Sequence, residues 1–126
     1  MSPESKAKPI IAIVDDDEAV RQATGSLVRS LGYHASLFAS AHDFLNFEQI
    51  GNTCCLITDV RMPGLGGLEL QDQLIARGHS FPIIFITGHP DDDVRARAMK
   101  AGAAAFLSKP VETGNLVKHL PKNLKA

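Results

Sequence analysis

Residues 9–20, PIIAIVDDDEAV, change character in a single step. Pro9 to Val14 is an unbroken apolar run, the pattern of a strand buried on both faces. Asp15, Asp16 and Asp17 follow at once. A helical stripe then begins, with Val20, Ala23, Leu27, Val28 and Leu31 on one side and Gly32 as its stop. A doubly buried strand leading into an amphipathic helix is one βα unit of a parallel sheet. Adjacent carboxylates repel one another, so three in a row ask for work that a neutral turn could not do.

The same unit recurs along the chain. Tyr33 to Phe38 is a second strand whose mixed polarity fits a sheet edge, and Ser40-Ala-His-Asp43 starts a helix that buries Phe44, Leu45 and Phe47. Thr53 to Thr58 is a third strand. It is followed by a Gly-rich loop and a helix over Leu68 to Arg77, stopped by Gly78. Pro82 to Thr87, a helix over Asp92 to Ala101 stopped by Gly102, and Ala104 to Ser108 complete five strands. Leu116 to Leu120 marks a short last helix, weakened at its start by Thr113-Gly114-Asn115 and interrupted at Pro121. The expected fold is α/β, a flavodoxin-like (βα)5 doubly wound parallel sheet of strand order 2-1-3-4-5. The expected domain covers residues 9–120, between a flexible N-terminus at 1–8 and a C-terminal tail at 121–126.

Bulk properties narrow the function. With 44% hydrophobic and 21% charged residues the chain can build a core, which argues against disorder. Thirteen basic and fourteen acidic residues leave a formal charge of -1, which argues against nucleic-acid or membrane binding through bulk positive charge. The apolar runs fall well short of the ~18 residues of a membrane span. Cys54 and Cys55 are adjacent in a strand and point to opposite faces, so they read as free thiols of a cytoplasmic protein.

In a doubly wound sheet, ligands bind beyond the carboxyl ends of the strands, at the switch in strand order. Asp15, Asp16 and Asp17 follow strand one, Asp59 ends strand three, Thr87 ends strand four and Lys109-Pro110 follows strand five. Asp17 precedes Glu18 and the helical stripe and suits an N-cap. The others form a chemical set. Asp15, Asp16 and Asp59 offer hard oxygens to one divalent cation, for which Mg2+ is the natural choice. An aspartate can also attack phosphorus to form an acyl phosphate. Lys109 and Thr87 could then stabilise the phosphoryl oxygens by charge and hydrogen bond.

With these residues in view, the chain resembles the receiver domain of two-component response regulators over about residues 8 to 120. The resemblance rests on IVDDDEAVR (13–21), LITDVRMPGLGGLEL (56–70), IIFITGH (83–89) and KAGAAAFLSKPV (100–111). The TGH piece looks most like the FixJ-type subgroup. The resemblance implies a phosphoacceptor at Asp59 and Mg2+ held by Asp15, Asp16, Asp59 and the backbone carbonyl of Arg61. It implies a switch hydroxyl at Thr87, a phosphate-binding lysine at Lys109 followed by a cis peptide bond to Pro110, and a switch aromatic at Phe106. It further implies a histidine kinase or phosphotransfer protein as donor. The output would be a downstream effector or homodimer engaged through helix 4, strand 5 and helix 5, without nucleic acid or membrane contact by this chain.

Several points stay open on the sequence. Phe106 lacks a hydroxyl, so it is equally a buried strand aromatic or a switch held by packing alone. Gly88 leaves the mouth of the site uncrowded. A haloacid-dehalogenase-type phosphatase would also use Asp, Thr, Lys and Mg2+, but its motif needs a second aspartate where Arg61 stands. A flavin-binding module would want a Ser/Thr/Gly-rich phosphate loop after strand one, and three aspartates there would repel phosphate. The chain reads equally as a single-domain regulator or as a piece of a longer one.

Overall fold

A computed structural model describes residues 9–121. The N-terminal segment 1–8 and all of the expected tail except Pro121 lie outside the described residues. Five strands, β1 (Ile10–Val14), β2 (His34–Phe38), β3 (Thr53–Asp59), β4 (Ile83–Thr87) and β5 (Ala105–Ser108), form one parallel sheet in the order 2-1-3-4-5. Five helices connect and cover them: α1 (Glu18–Ser30), α2 (Ala41–Leu45), α3 (Gly67–Ala76), α4 (Asp92–Lys100) and α5 (Thr113–His119).

Alternation along the strands divides the apolar side chains between two cores, one on each face of the sheet. Ala12, Val14, Leu56 and Phe85 pack with Phe44, Leu70, Leu74 and Ala98, the side chains of α2, α3 and α4. Ile11, Ile13, Ile57, Ile84 and Ile86 pack with Val28 of α1 and Leu116 of α5 on the other side. The three central strands are buried almost throughout, which explains their continuous apolar runs, whereas β2 at the edge is only half-buried. Cys55 lies in the core and Cys54 is half-buried, both free. Burial in apolar surroundings pushes the Cys55 thiol up to about 12, so it packs as an inert small hydrophobe.

Helix ends follow the sequence signals closely. Ser40 caps α2 by accepting from the Asp43 amide, and Asp91 caps α4 by accepting from Asp93 and Val94. Gly32, Gly78 and Gly102 follow the C-caps of α1, α3 and α4 with positive φ, where a side chain would be strained.

Two expectations need correction. On α1 the stripe was expected to bury Ala23 and Leu31, yet both are exposed. Leu31 lies past the helix end as its C-cap. Ala23 walls an open groove with Val20, Thr24 and Leu27, facing Pro110, Val111 and Leu116 across it. Gly25 is buried instead, because Leu37 of β2 presses where its Cβ would stand, 2.9 Å away. The last helix is short, as expected, but it begins at Thr113 and so contains Gly114 and Asn115. Its seven residues end before Pro121, whose carbonyl accepts a hydrogen bond from the Tyr33 hydroxyl.

Candidate functional site

The carboxyl ends of β1, β3, β4 and β5 bring the expected polar residues to one rim. Asp15 and Asp59 are buried there and Asp16 is exposed at the mouth. Asp15 is held on several sides. Its amide donates to the Phe38 carbonyl at 3.1 Å, and its Oδ1 accepts from the Asp17 amide at 2.9 Å. Asp17 turns the other way. Its Oδ1 accepts from the Val20 amide at 3.2 Å, as an N-cap of α1. The three adjacent aspartates therefore stand in different environments, Asp15 buried, Asp16 exposed at the mouth and Asp17 capping α1.

Lys109 reaches into the rim from the end of β5. Its Nζ donates to Asp59 Oδ2 at 2.9 Å. It also lies 3.2 Å from Asp15 Oδ2, but as an ion pair without hydrogen-bond alignment. Asp15 Oδ2 is thus a buried carboxylate oxygen with no donor aimed at it among the described residues. Burial raises the Asp15 pKa above the ordinary carboxylate range; the Asp17 amide and Lys109 oppose this, and nearby Asp59 adds to it. For Lys109, burial works against the charge, but the hydrogen-bonded Asp59 carboxylate and the ion-paired Asp15 carboxylate outweigh it and raise its pKa above the ordinary value. The Lys109-Pro110 peptide bond is cis.

Asp15, Asp16 and Asp59 each offer a carboxylate oxygen, and these oxygens lie within 4.8 Å of one another. An all-oxygen donor set containing a buried oxygen without an aligned donor fits a hard divalent cation. The Arg61 amide donates to Asp59 Oδ1 at 3.3 Å, while its side chain is exposed. Thr87 is buried, and its hydroxyl oxygen accepts from the His89 amide at 3.1 Å, so its own proton remains available to donate. The Lys109 amide donates to the Thr87 carbonyl at 2.8 Å, tying these two site positions together through the backbone. A Cβ on Gly88 would meet nothing within 4 Å, so the mouth is open there. Phe106 is half-buried on β5, its ring 6.3 Å from that of Phe85.

The amino-acid sequence of this chain matches the response regulator receiver domain over residues 11–121. This chain belongs to that family. The response regulator TodT of Pseudomonas putida is 46% identical over 116 residues, covering 92% of this chain and 51% of TodT. The transcriptional regulatory protein FixJ of Bradyrhizobium diazoefficiens is 42% identical over 106 residues, 84% of this chain and 52% of FixJ. In three dimensions the receiver resembles the response regulator StyR, with TM-score 0.84 at 43% identity over 94% of this chain and 60% of StyR. It also resembles FixJ-N, with TM-score 0.79 at 37% identity over 87% of this chain and 88% of that one. This receiver chain spans about half the length of the curated relatives it matches. It is a bacterial-type signal-transduction domain of the two-component class. Among the described residues, no helix is long and apolar enough to cross a membrane.

Two structural contributors carry no clear signal in the sequence. Arg21 donates from its guanidinium to the Asp15 carbonyl. Gly67, read only as part of a Gly-rich loop, sits where β3 turns into α3, and its amide donates to the Val60 carbonyl at 2.9 Å. A Cβ there would collide with the carbonyl oxygen of Asp59 and lie 3.1 Å from Val60 Cα. Both neighbours are backbone and cannot rotate away. Gly67→Ala is expected to cost roughly 2–3 kcal/mol, as overpacking does, read as a lower urea midpoint with an unchanged slope. A midpoint within error of wild type would mean that α3 can lift off Asp59 freely.

Proposed function

We propose that this receiver accepts a phosphoryl group on Asp59 from a phosphohistidine, with Mg2+ bound, and signals by a shift of the α4–β5–α5 face. The observation that carries the reading is the Lys109 ammonium held 2.9 Å from the Asp59 carboxylate, at a rim shared with Asp15 and Asp16. A cation placed at the oxygen of a buried aspartate neutralises the charge of an approaching phosphoryl group. Asp59 is the nucleophile, forming a new O–P bond as the P–N bond of the donor breaks. Asp15, Asp16, Asp59 and the Arg61 carbonyl would hold Mg2+, which supplies positive charge to the phosphoryl oxygens.

Lys109 then exchanges its partner, from the Asp59 carboxylate to a phosphoryl oxygen. Thr87 donates its free hydroxyl proton to another. Inward movement of Thr87 opens space beside Phe106, which has no hydroxyl to anchor it and can respond only by packing. The result is a population shift between two arrangements of β5 and its neighbours, biased by phosphoryl contacts. The receiver also catalyses its own phosphate loss by hydrolysis, with Gly88 leaving room for water. For the donor, a histidine kinase or phosphotransfer protein, the apolar groove between α1 and α5 ends at Lys109 and offers a docking wall beside the nucleophile. A downstream effector, output domain or second receiver would read the α4–β5–α5 face.

The test is incubation with acetyl phosphate and Mg2+, followed by intact-mass measurement. A phosphate-sized gain that chelation prevents is the expected result. No gain with any donor would return the chain to a flavodoxin-like binding module that does not use phosphate. The division among the three aspartates predicts unequal losses. Asp16→Ala should weaken Mg2+ binding severely, whereas Asp17→Ala should keep it and lose about 1 kcal/mol of stability through the missing cap. Calorimetric Mg2+ titration and urea unfolding separate the two, and equal Mg2+ losses would refute the division.

A further inference from the structure

We propose that Arg21 is the positioning residue of the acidic pair, acting on Asp16 through the peptide bond that joins it to Asp15. This inference rests on the reading of Asp15, Asp16 and Asp59 as a Mg2+ site. Arg21 stands in the first turn of α1, where side chains lean back toward the helix N-terminus. Its Nη1 donates to the Asp15 carbonyl oxygen at 2.8 Å, while its own amide donates to the Asp17 carbonyl. Arg21 thus holds both ends of the turn that carries the three aspartates, through its guanidinium at Asp15 and its amide at Asp17.

The geometry gives this bond a particular consequence. The Asp15 carbonyl and the Asp16 amide belong to one rigid planar unit. The Asp15 side of that unit is already fixed by Phe38, the Asp17 amide and Lys109. Asp16 is exposed at the mouth, and the Arg21 contact on the shared plane limits how it can swing. Guanidinium suits the task because it stays charged at any working pH and presents directed donors.

Two effects of Arg21 oppose each other, and their signs differ. As a nearby positive charge it repels a divalent cation, so its removal by itself would tighten Mg2+ binding. As an orienting group it lowers the cost of ordering Asp16, so its removal would weaken binding. Loss of an outer-shell partner of a metal site typically costs 10–100-fold in affinity, whereas the half-buried Arg21 charge is still screened in part by solvent at the open mouth. Orientation should therefore win.

The experiment is calorimetric Mg2+ titration, at fixed ionic strength, of wild type, Arg21→Met and Arg21→Lys, with urea unfolding measured in chelator. Methionine keeps the aliphatic packing and removes the donor. Arg21→Met is expected to bind Mg2+ roughly 10-fold more weakly, with a metal-free unfolding midpoint close to wild type. Arg21→Lys keeps a charged donor and should recover part of the loss. Binding by Arg21→Met as tight as wild type, or tighter, overturns the proposal, as does a lysine variant no better than methionine. Wild type that takes up no Mg2+ overturns the metal site itself, and this proposal with it.

Discussion

Asp59→Asn is expected to abolish the phosphate-sized mass gain while the domain stays folded. In the proposed reaction the carboxylate oxygen is the nucleophile, and an amide in its place is neutral and far less reactive toward phosphorus. The substitution also removes one of the three carboxylates that converge at the rim. Lys109 loses one of its two carboxylate counter-charges but keeps Asp15 3.2 Å away, so no buried cation is stranded. Folding should survive for that reason, and circular dichroism with intact mass reads both outcomes. A gain that persists in Asp59→Asn and vanishes in Asp15→Asn would move the acceptor to Asp15 and overturn the assignment.

Asp15→Asn is expected to have two effects of opposite sign. Mg2+ binding should be lost, because the buried carboxylate oxygen without an aligned donor becomes neutral. In chelator, however, the variant should be more stable than wild type, on the order of 1 kcal/mol, since burying an incompletely paired charged group is costly. For a domain of this size that is a rise of about 4 °C in Tm. The pH dependence follows from the raised Asp15 pKa, which burial causes. The folded state holds the Asp15 proton more tightly than the unfolded state does. Stability associated with protonated Asp15 is therefore present in acid and is lost as pH rises through the folded pKa. The advantage of Asp15→Asn should accordingly be absent in strong acid and grow as pH rises through the folded-state pKa. Added Mg2+ should raise the wild-type unfolding free energy by about 2.7 kcal/mol at 100 times its Kd and leave the variant unmoved. A variant less stable than wild type in chelator at neutral pH would mean that the Lys109 pairing outweighs the burial of Asp15.

Function and stability thus pull against each other at this rim. The site gathers carboxylates that a metal-free fold would be better without. On the proposed function, this is the cost of a site that receives a cation and a phosphoryl group.

Much of this was legible in the sequence, for identifiable reasons. Apolar runs of strand length between helical stripes prescribe a parallel sheet, because only strands covered on both faces are apolar throughout. The rule that ligands gather beyond strand carboxyl ends then selects Asp15, Asp16, Asp59, Thr87 and Lys109. Asp17 separates from its neighbours because helix capping is local, a matter of one side chain and an amide three residues on. The α1 stripe misled for the opposite reason. Periodicity tells which residues share a face, but not how far the next element extends to cover it. A seven-residue α5 leaves Ala23 beside an open groove, and Leu37 of β2 takes the space at Gly25.

What the sequence by itself determined is the order of the elements, their parallel pairing and the rim on which the candidate site residues meet, all consequences of local patterning and chain connectivity. Only the tertiary structure decided how those residues are held. The Lys109 ammonium stands between two carboxylates fifty and more positions away, Arg21 grips the Asp15 carbonyl, and Gly67 lets α3 pass against the backbone of Asp59. Each of these depends on distances of a few ångströms between segments whose sequences carry no record of one another. Packing sets such distances, and packing is a property of the whole fold.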